Sequence, residues 1–141
     1  MMARKPTFAR RRAENKKSMS AYSFGMLPAL LLRLEGAALL FCALFFYHSL
    51  RFSWILFIAL FLWPDILMAG YLLNPKLGSR LYNLVHTDVL PAALATSSFA
   101  LHRTSLLAFA LIWLGHIGFD RALGFGLKYP TFFKDTHLQR V

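Results

Sequence analysis

Acidic residues are scarce in this sequence, and cysteine is almost missing. Only six of 141 residues are Asp or Glu, against sixteen Lys or Arg, and there is a single Cys. One thiol cannot build a disulfide framework, and Cys42, inside an apolar run, reads as a small buried hydrophobe. A signal peptide is not expected: the basic leader is long, the apolar stretch behind it exceeds a signal core, and no small-residue cleavage site follows. No internal repeat relates the two halves of the chain.

Apolar surface is abundant. The chain is 57% hydrophobic and 16% aromatic, with a mean hydropathy of +0.50. A single domain of this length cannot hide that much apolar surface from water, so the composition points to an integral membrane protein. The formal charge of +10 would suit nucleic acid, but its placement does not. Arg4, Lys5, Arg10, Arg11, Arg12, Lys16 and Lys17 crowd into residues 1–17 without apolar periodicity. They lack the interleaved aromatics of a single-strand binder. Residues 1–25 are expected to form a disordered cytoplasmic tail beside anionic lipid headgroups, with no nucleic-acid partner.

Four apolar runs have spanning length, near 27–49, 52–73, 81–101 and 105–127. Each suffices for about 30 Å of hydrocarbon at about 1.5 Å per residue. The connections "HSLRFS", "NPKLGSR" and "HRTS" are short and carry breaker residues. Short loops force neighbouring helices antiparallel, which predicts an all-α, up-down-up-down four-helix bundle over residues 26–128. The N-terminal segment, the second loop (Lys76, Arg80) and the C-terminal end (Lys128, Lys134, Arg140) hold most cations; the first and third loops hold only Arg51 and Arg103. By the positive-inside rule both termini are expected in the cytoplasm, with a bacterial inner membrane as the location. Residues 129–141 are expected to be an interfacial tail anchored by Tyr129, Phe132 and Phe133. The arrangement is compatible with a homo-oligomer.

Against this apolar background the ionisable residues stand out. Asp65 lies in "LFLWPDILMAGYL", His86, Thr87 and Asp88 in "LYNLVHTDVLP", and His116, Asp120 and Arg121 in "LGHIGFDRALGFGLKYP". Counted from each cytoplasmic end, Asp65 is about 12 Å deep, His86 about 8 Å, His116 about 16 Å and Asp120 about 10 Å, at 1.5 Å rise per residue. Helices of alternating direction thus bring these groups to one level. Charges inside a membrane cost roughly 2.5–3.5 kcal/mol each, so they are expected to face the bundle interior and find partners. His116 and Asp120, four apart, share a helix face. Arg121 points elsewhere and is expected to reach another helix or the interface. Glu35 and Arg121 are expected close to the pocket.

Three readings follow. A structural cluster would join helices by interhelical hydrogen bonds worth about 0.6 kcal/mol each. A divalent-metal site, zinc or manganese, would use His86, His116 and Asp120 as ligands, with Asp65 as ligand or catalytic base, and Asn83 and Thr87 behind them. Such a site at the inner membrane surface suits hydrolysis of a lipid-linked or phosphate ester. A proton or ion pathway is the third, although no matching chain of groups occupies the outer half. His48 and His102 fall at outer helix ends, and His137 is expected in a solvated tail.

The motifs "LRLEG", "PDILMAGYL", "YNLVHT" and "HIGFDRALGFGLKYPTFFKDTHL", in that order over residues 31–138, resemble an uncharacterised family of small bacterial four-helix membrane proteins, a domain of unknown function. Pro64-Asp65, His86-Thr87 and His116-x-x-x-Asp120 are more loosely similar to inner-membrane metal-dependent hydrolases of the LexA-regulated type. That similarity implies a metal-dependent hydrolase activity. The chain lacks those enzymes' additional Asp-His after Pro-Asp and their fuller His-Arg-x-x-Thr-His string.

Overall fold

A computed structural model describes residues 8–131 and 134–140, with side chains from residue 27 onward. The elements are α1 (Phe8–Ser49), α2 (Trp54–Leu60), a 3₁₀ helix (Trp63–Leu72), α3 (Pro75–Val85), α4 (Val89–Ala100), α5 (Thr104–Leu123) and a 3₁₀ turn (His137–Gln139). The fold is all-helical, with no strand among the described residues beyond one isolated bridge between Lys128 and Thr136. Three helices are long and apolar enough to cross a membrane: Leu27–Ser49, Trp54–Leu72 and Thr104–Leu123.

The first and fourth apolar runs become helices close to the expected bounds. The helix of the first run also extends back to Phe8. Much of the stretch expected as a disordered tail is therefore helical, in keeping with the strong helix formers of "ARRRAENKK" at residues 9–17.

The second run changes character midway. Pro64 lacks an N–H and sits in the first turn of the 3₁₀ helix, so α2 stops at Leu60 and the chain continues in the tighter winding for ten residues. "NPKLGSR", expected as a loop, instead begins α3: the Asn74 side chain accepts from Leu77 N at 2.8 Å, and Pro75 occupies the first turn.

The third run is not one helix. It breaks at His86-Thr87-Asp88. Pro91 explains the break, because it can neither donate to the carbonyl of residue 87 nor avoid its bulk; it is tolerated only in the first turn of a new helix, α4. The carbonyl left exposed at the end of α3 is not wasted, since Trp113 Nε1 donates to Val85 O at 2.6 Å.

Packing centres on α1 against α5. A Cβ on Gly118 would lie 2.6 Å from Leu40 N and 2.8 Å from Gly36 O, so the two backbones touch at this glycine pair. Small residues permit such close approach in membrane helices. Tyr47, Phe57, Ala108, Leu111 and Ile112 form one buried cluster, and Val85, Trp113 and Ile117 another. The two tight reversals, α1 to α2 and α4 to α5, each use a non-glycine residue in left-handed conformation, Arg51 (φ 57°) and His102 (φ 51°). Phe41, Phe45, Ile55, Ile58 and Leu72 point outward, as lipid-facing residues do. Cys42 is also exposed, correcting the expectation of a buried thiol. It lies one residue from the buried Ala43, which α1 turns toward the interior.

Gly124 (φ 91°) ends α5 in the left-handed region, and the chain doubles back. Leu127 N donates to His137 Nδ1 at 2.9 Å, and His137 N donates to Leu127 O at 3.0 Å. Asp135, Thr136 and Leu138 are buried. The C-terminal segment is thus packed onto the body rather than solvated, with His137 pairing to Leu127. Tyr129 is exposed, consistent with an interfacial position; Phe132 and Phe133 lie outside the described residues.

Candidate metal centre

Asp65, His86, His116 and Asp120 converge, each offering one ligand atom, with all four atoms within 4.8 Å of one another. Every one of them sits at an irregularity or on a rigid neighbour. Asp65 occupies the first turn of the 3₁₀ helix. His86 is the residue on which α3 ends. His116 and Asp120 occupy adjacent turns of α5, beside the buried glycines that press it against α1. Non-helical backbone at membrane depth is tolerated where it is buried in protein or lines a cavity. Both histidines are almost fully buried, at 3% and 1% exposure; among the acids, the Asp65 side chain is more open (31%) than that of Asp120 (16%).

The distances form a compact polyhedron. His86 Nε2 lies 3.2 Å from His116 Nε2, 3.5 Å from Asp65 Oδ1 and 3.5 Å from Asp120 Oδ2. His116 Nε2 lies 3.6 Å from Asp65 Oδ1 and 3.9 Å from Asp120 Oδ2. The imidazole–carboxylate separations exceed good hydrogen-bond length.

Supporting groups fix these side chains. His86 Nδ1 is 2.9 Å from the carbonyl of Tyr82, which can only accept, so that nitrogen carries the proton. In neutral His86 the lone pair then belongs to Nε2, facing the cluster. Tyr82 stacks on His86 with ring centroids 3.6 Å apart, and its hydroxyl donates to Asp120 Oδ2 at 3.0 Å. The second imidazole is held at its flank by Phe61, edge to face at 5.4 Å. His116 Nδ1 is buried with no hydrogen-bond partner among the described residues.

Residues expected around the pocket divide. Arg121 pairs with Asp88 at 2.7 Å, so it reaches the break between α3 and α4 instead of the cluster. Asn83 supports the site indirectly, donating to Lys128 O at 2.9 Å and accepting from Lys128 N at 2.7 Å, which fastens the post-α5 segment to α3. Thr87 lies within the break, half-buried. Glu35 is exposed and stands outside the four-residue group, a correction of the expectation. Its neighbour Gly36 is the residue that faces α5, so Glu35 is rotated about 100° away.

Two neighbours of the site were missed from sequence. Tyr82 had a signal, since it precedes His86 by four residues on one helical face. Lys128 had none, because only the reversal after Gly124 brings it in; its Nζ lies 4.3 Å over the Tyr82 ring. Burial pushes the Lys128 ammonium down to about 8, partly offset by the charges of Asp120 and Asp65. A cavity of about 560 Å³ opens beside the cluster, lined by Asp65, Tyr82, Asp120 and Lys128 together with Met68 and Phe125, and walled further by the C-terminal segment.

The profile of one family, the domain of unknown function DUF4260, matches residues 29–141. No curated protein and no solved structure matches the chain.

Proposed function

The chain belongs to the family of the domain of unknown function DUF4260, a name without an activity, and from its own site we propose an integral membrane protein that binds one divalent ion and hydrolyses a membrane-associated substrate. His86, His116 and Asp120 are its ligands, and Asp65 is a further ligand or the base. The observation that carries this reading is the spacing of the ligand atoms. Metal–ligand bonds of about 2.0–2.2 Å put neighbouring atoms of a tetrahedron about 3.3–3.6 Å apart. Five of the six separations run from 3.2 to 3.9 Å, and the sixth, between the two carboxylates, is within 4.8 Å. The four imidazole–carboxylate separations, 3.5–3.9 Å, are too long for strong hydrogen bonds and close to what a shared ion requires.

The donor set of two imidazoles and two carboxylates suits zinc or manganese. The Nδ1–H of His86 bonded to a carbonyl is the arrangement that orients a ligating imidazole, and Tyr82 does the same for Asp120. When bound, the ion supplies Lewis acidity. Asp65, the more open carboxylate, faces the cavity and is the residue placed to accept a proton there. The clustering of Lys and Arg in the N-terminal segment, around α3 and after α5 supports a cytoplasmic orientation for the cavity and both termini.

A helix-joining cluster without chemistry is the second reading, favoured by the direct His86–His116 contact. Metal analysis separates the two. Full-length protein, purified in detergent without chelator and resupplied with zinc or manganese, is expected to hold about one ion per chain, and His116→Ala to lose most of it. Clearly less than one ion in the wild type removes the hydrolase reading.

A further inference from the structure

The cavity beside the cluster has walls of two kinds. Met68 and Phe125 are apolar, whereas Asp65, Asp120 and Lys128 bring charge and Lys134 brings a second cation. Two carboxylates against the Lys128 ammonium leave the inner walls with one net negative charge. A divalent ion on the four-residue cluster would reverse that to one net positive charge, which Lys134 reinforces. Lys128 is held where it is by its backbone, since both its N–H and its carbonyl are engaged by the single side chain of Asn83. Its side chain is almost fully buried, with Nζ 4.3 Å over the Tyr82 ring, so it is a cation at the cavity wall and not a solvated surface lysine.

We propose that the cavity takes the phosphate-bearing end of an amphiphile, with Lys128 contacting the phosphate and the wall of Met68 and Phe125 receiving the start of the apolar tail. The inference rests on the metal reading, because only the bound ion makes the cavity electropositive. Charge-assisted hydrogen bonds from an ammonium to a phosphate are the stronger kind, and shielding by the cavity walls adds to their worth. An uncharged diacylglycerol lacks the group these cations would meet.

The test uses full-length protein in a non-ionic detergent, loaded with zinc or manganese, with metal content measured before any ligand is added. The probes are a short-chain phosphatidic acid, the matching short-chain diacylglycerol and inorganic phosphate, each titrated calorimetrically. The phosphatidic acid is expected to bind at least about tenfold more tightly than either other probe, and Lys128→Met to lose about tenfold of that affinity with metal content unchanged. Lys128→Arg is expected to recover most of it, which separates loss of charge from loss of fold. Absence of metal from the wild type overturns the underlying reading and this one with it. Full metal content with equal binding of phosphatidic acid and diacylglycerol, or with Lys128→Met binding like wild type, overturns this inference alone. Inorganic phosphate binding as tightly as phosphatidic acid overturns the amphiphile and points to a soluble phosphate ester.

Discussion

His86 Nδ1 donates to the carbonyl of Tyr82 at 2.9 Å, and the two rings stack at 3.6 Å. One residue thus sets both the tautomer and the plane of an imidazole one helical turn away. The same Tyr82 reaches Asp120 on α5 with its hydroxyl. It ties a ligand candidate on each side of the cluster to the end of α3.

Tyr82→Phe keeps the stacked ring and removes only the hydroxyl at Asp120. Divalent-metal affinity is expected to fall about 10–100-fold, the usual effect of losing a group that orients a ligand. A metal titration against a competing chelator reads this directly. Unchanged affinity would mean that Asp120 either needs no orientation or is no ligand.

The α1–α5 contact predicts a contrast between two glycines three residues apart. A Cβ on Gly118 would meet backbone atoms at 2.6 and 2.8 Å, whereas on Gly115 the nearest atoms are side-chain carbons at 3.6 Å. Gly118→Ala is expected to destabilise by about 1–3 kcal/mol, the usual range for overpacking, while Gly115→Ala stays near neutral. Thermal unfolding in detergent compares them, and equal losses would contradict the close approach of the two backbones.

Acid is expected to release the C-terminal segment. Asp135 accepts hydrogen bonds from Arg140 and Thr131, which hold its carboxyl below its usual value of about 3.8. A carboxyl depressed in the folded state stabilises fully above its unfolded pKa, and that contribution disappears as pH falls through the lower folded value. Amides of Leu127, Tyr129, His137, Gln139 and Arg140, all hydrogen-bonded within this segment, should therefore be protected from hydrogen exchange at pH 5 and open progressively below about pH 4. Asp135→Asn is expected to exchange faster already at pH 5. Wild-type protection in that variant would show that the segment is held by other contacts.

Reporter fusions test orientation. Fusions at residues 1 and 141 are expected to report cytoplasm, and insertions at Arg51 and Arg103 the opposite side, on the asymmetry of Lys and Arg. The left-handed turns at Arg51 and His102 make these reversals short, so an insertion is best flanked by glycine. A C-terminus on the outer side would place the cavity away from the cytoplasm.

The sequence by itself determined that the chain is helical and suited to a membrane, because long apolar runs are a local property that needs no partner to be read. From residue rise and an expected alternation of helix direction it also led to the expectation that Asp65, His86, His116 and Asp120 lie near one another, and their ligand atoms do lie within 4.8 Å. The His116-x-x-x-Asp120 spacing already put two of them on one face. The helix break at His86 was written in Pro91, but the span's apolar character hid it, and a continuous helix was the simpler expectation. Other features belonged to the tertiary structure alone. Glu35 turns outward because Gly36 is the residue that faces α5; only that packing decides the rotation of α1 about its axis. Arg121 finds Asp88 across the break between α3 and α4. Lys128 joins the cavity because Gly124 reverses the chain and Asn83, 45 residues earlier, grips the Lys128 backbone. The face a residue shares on its helix follows from helical repeat, which is local. The direction a helix turns and the place a returning segment lands follow from which surfaces fit together, and that is decided only when all of them are present.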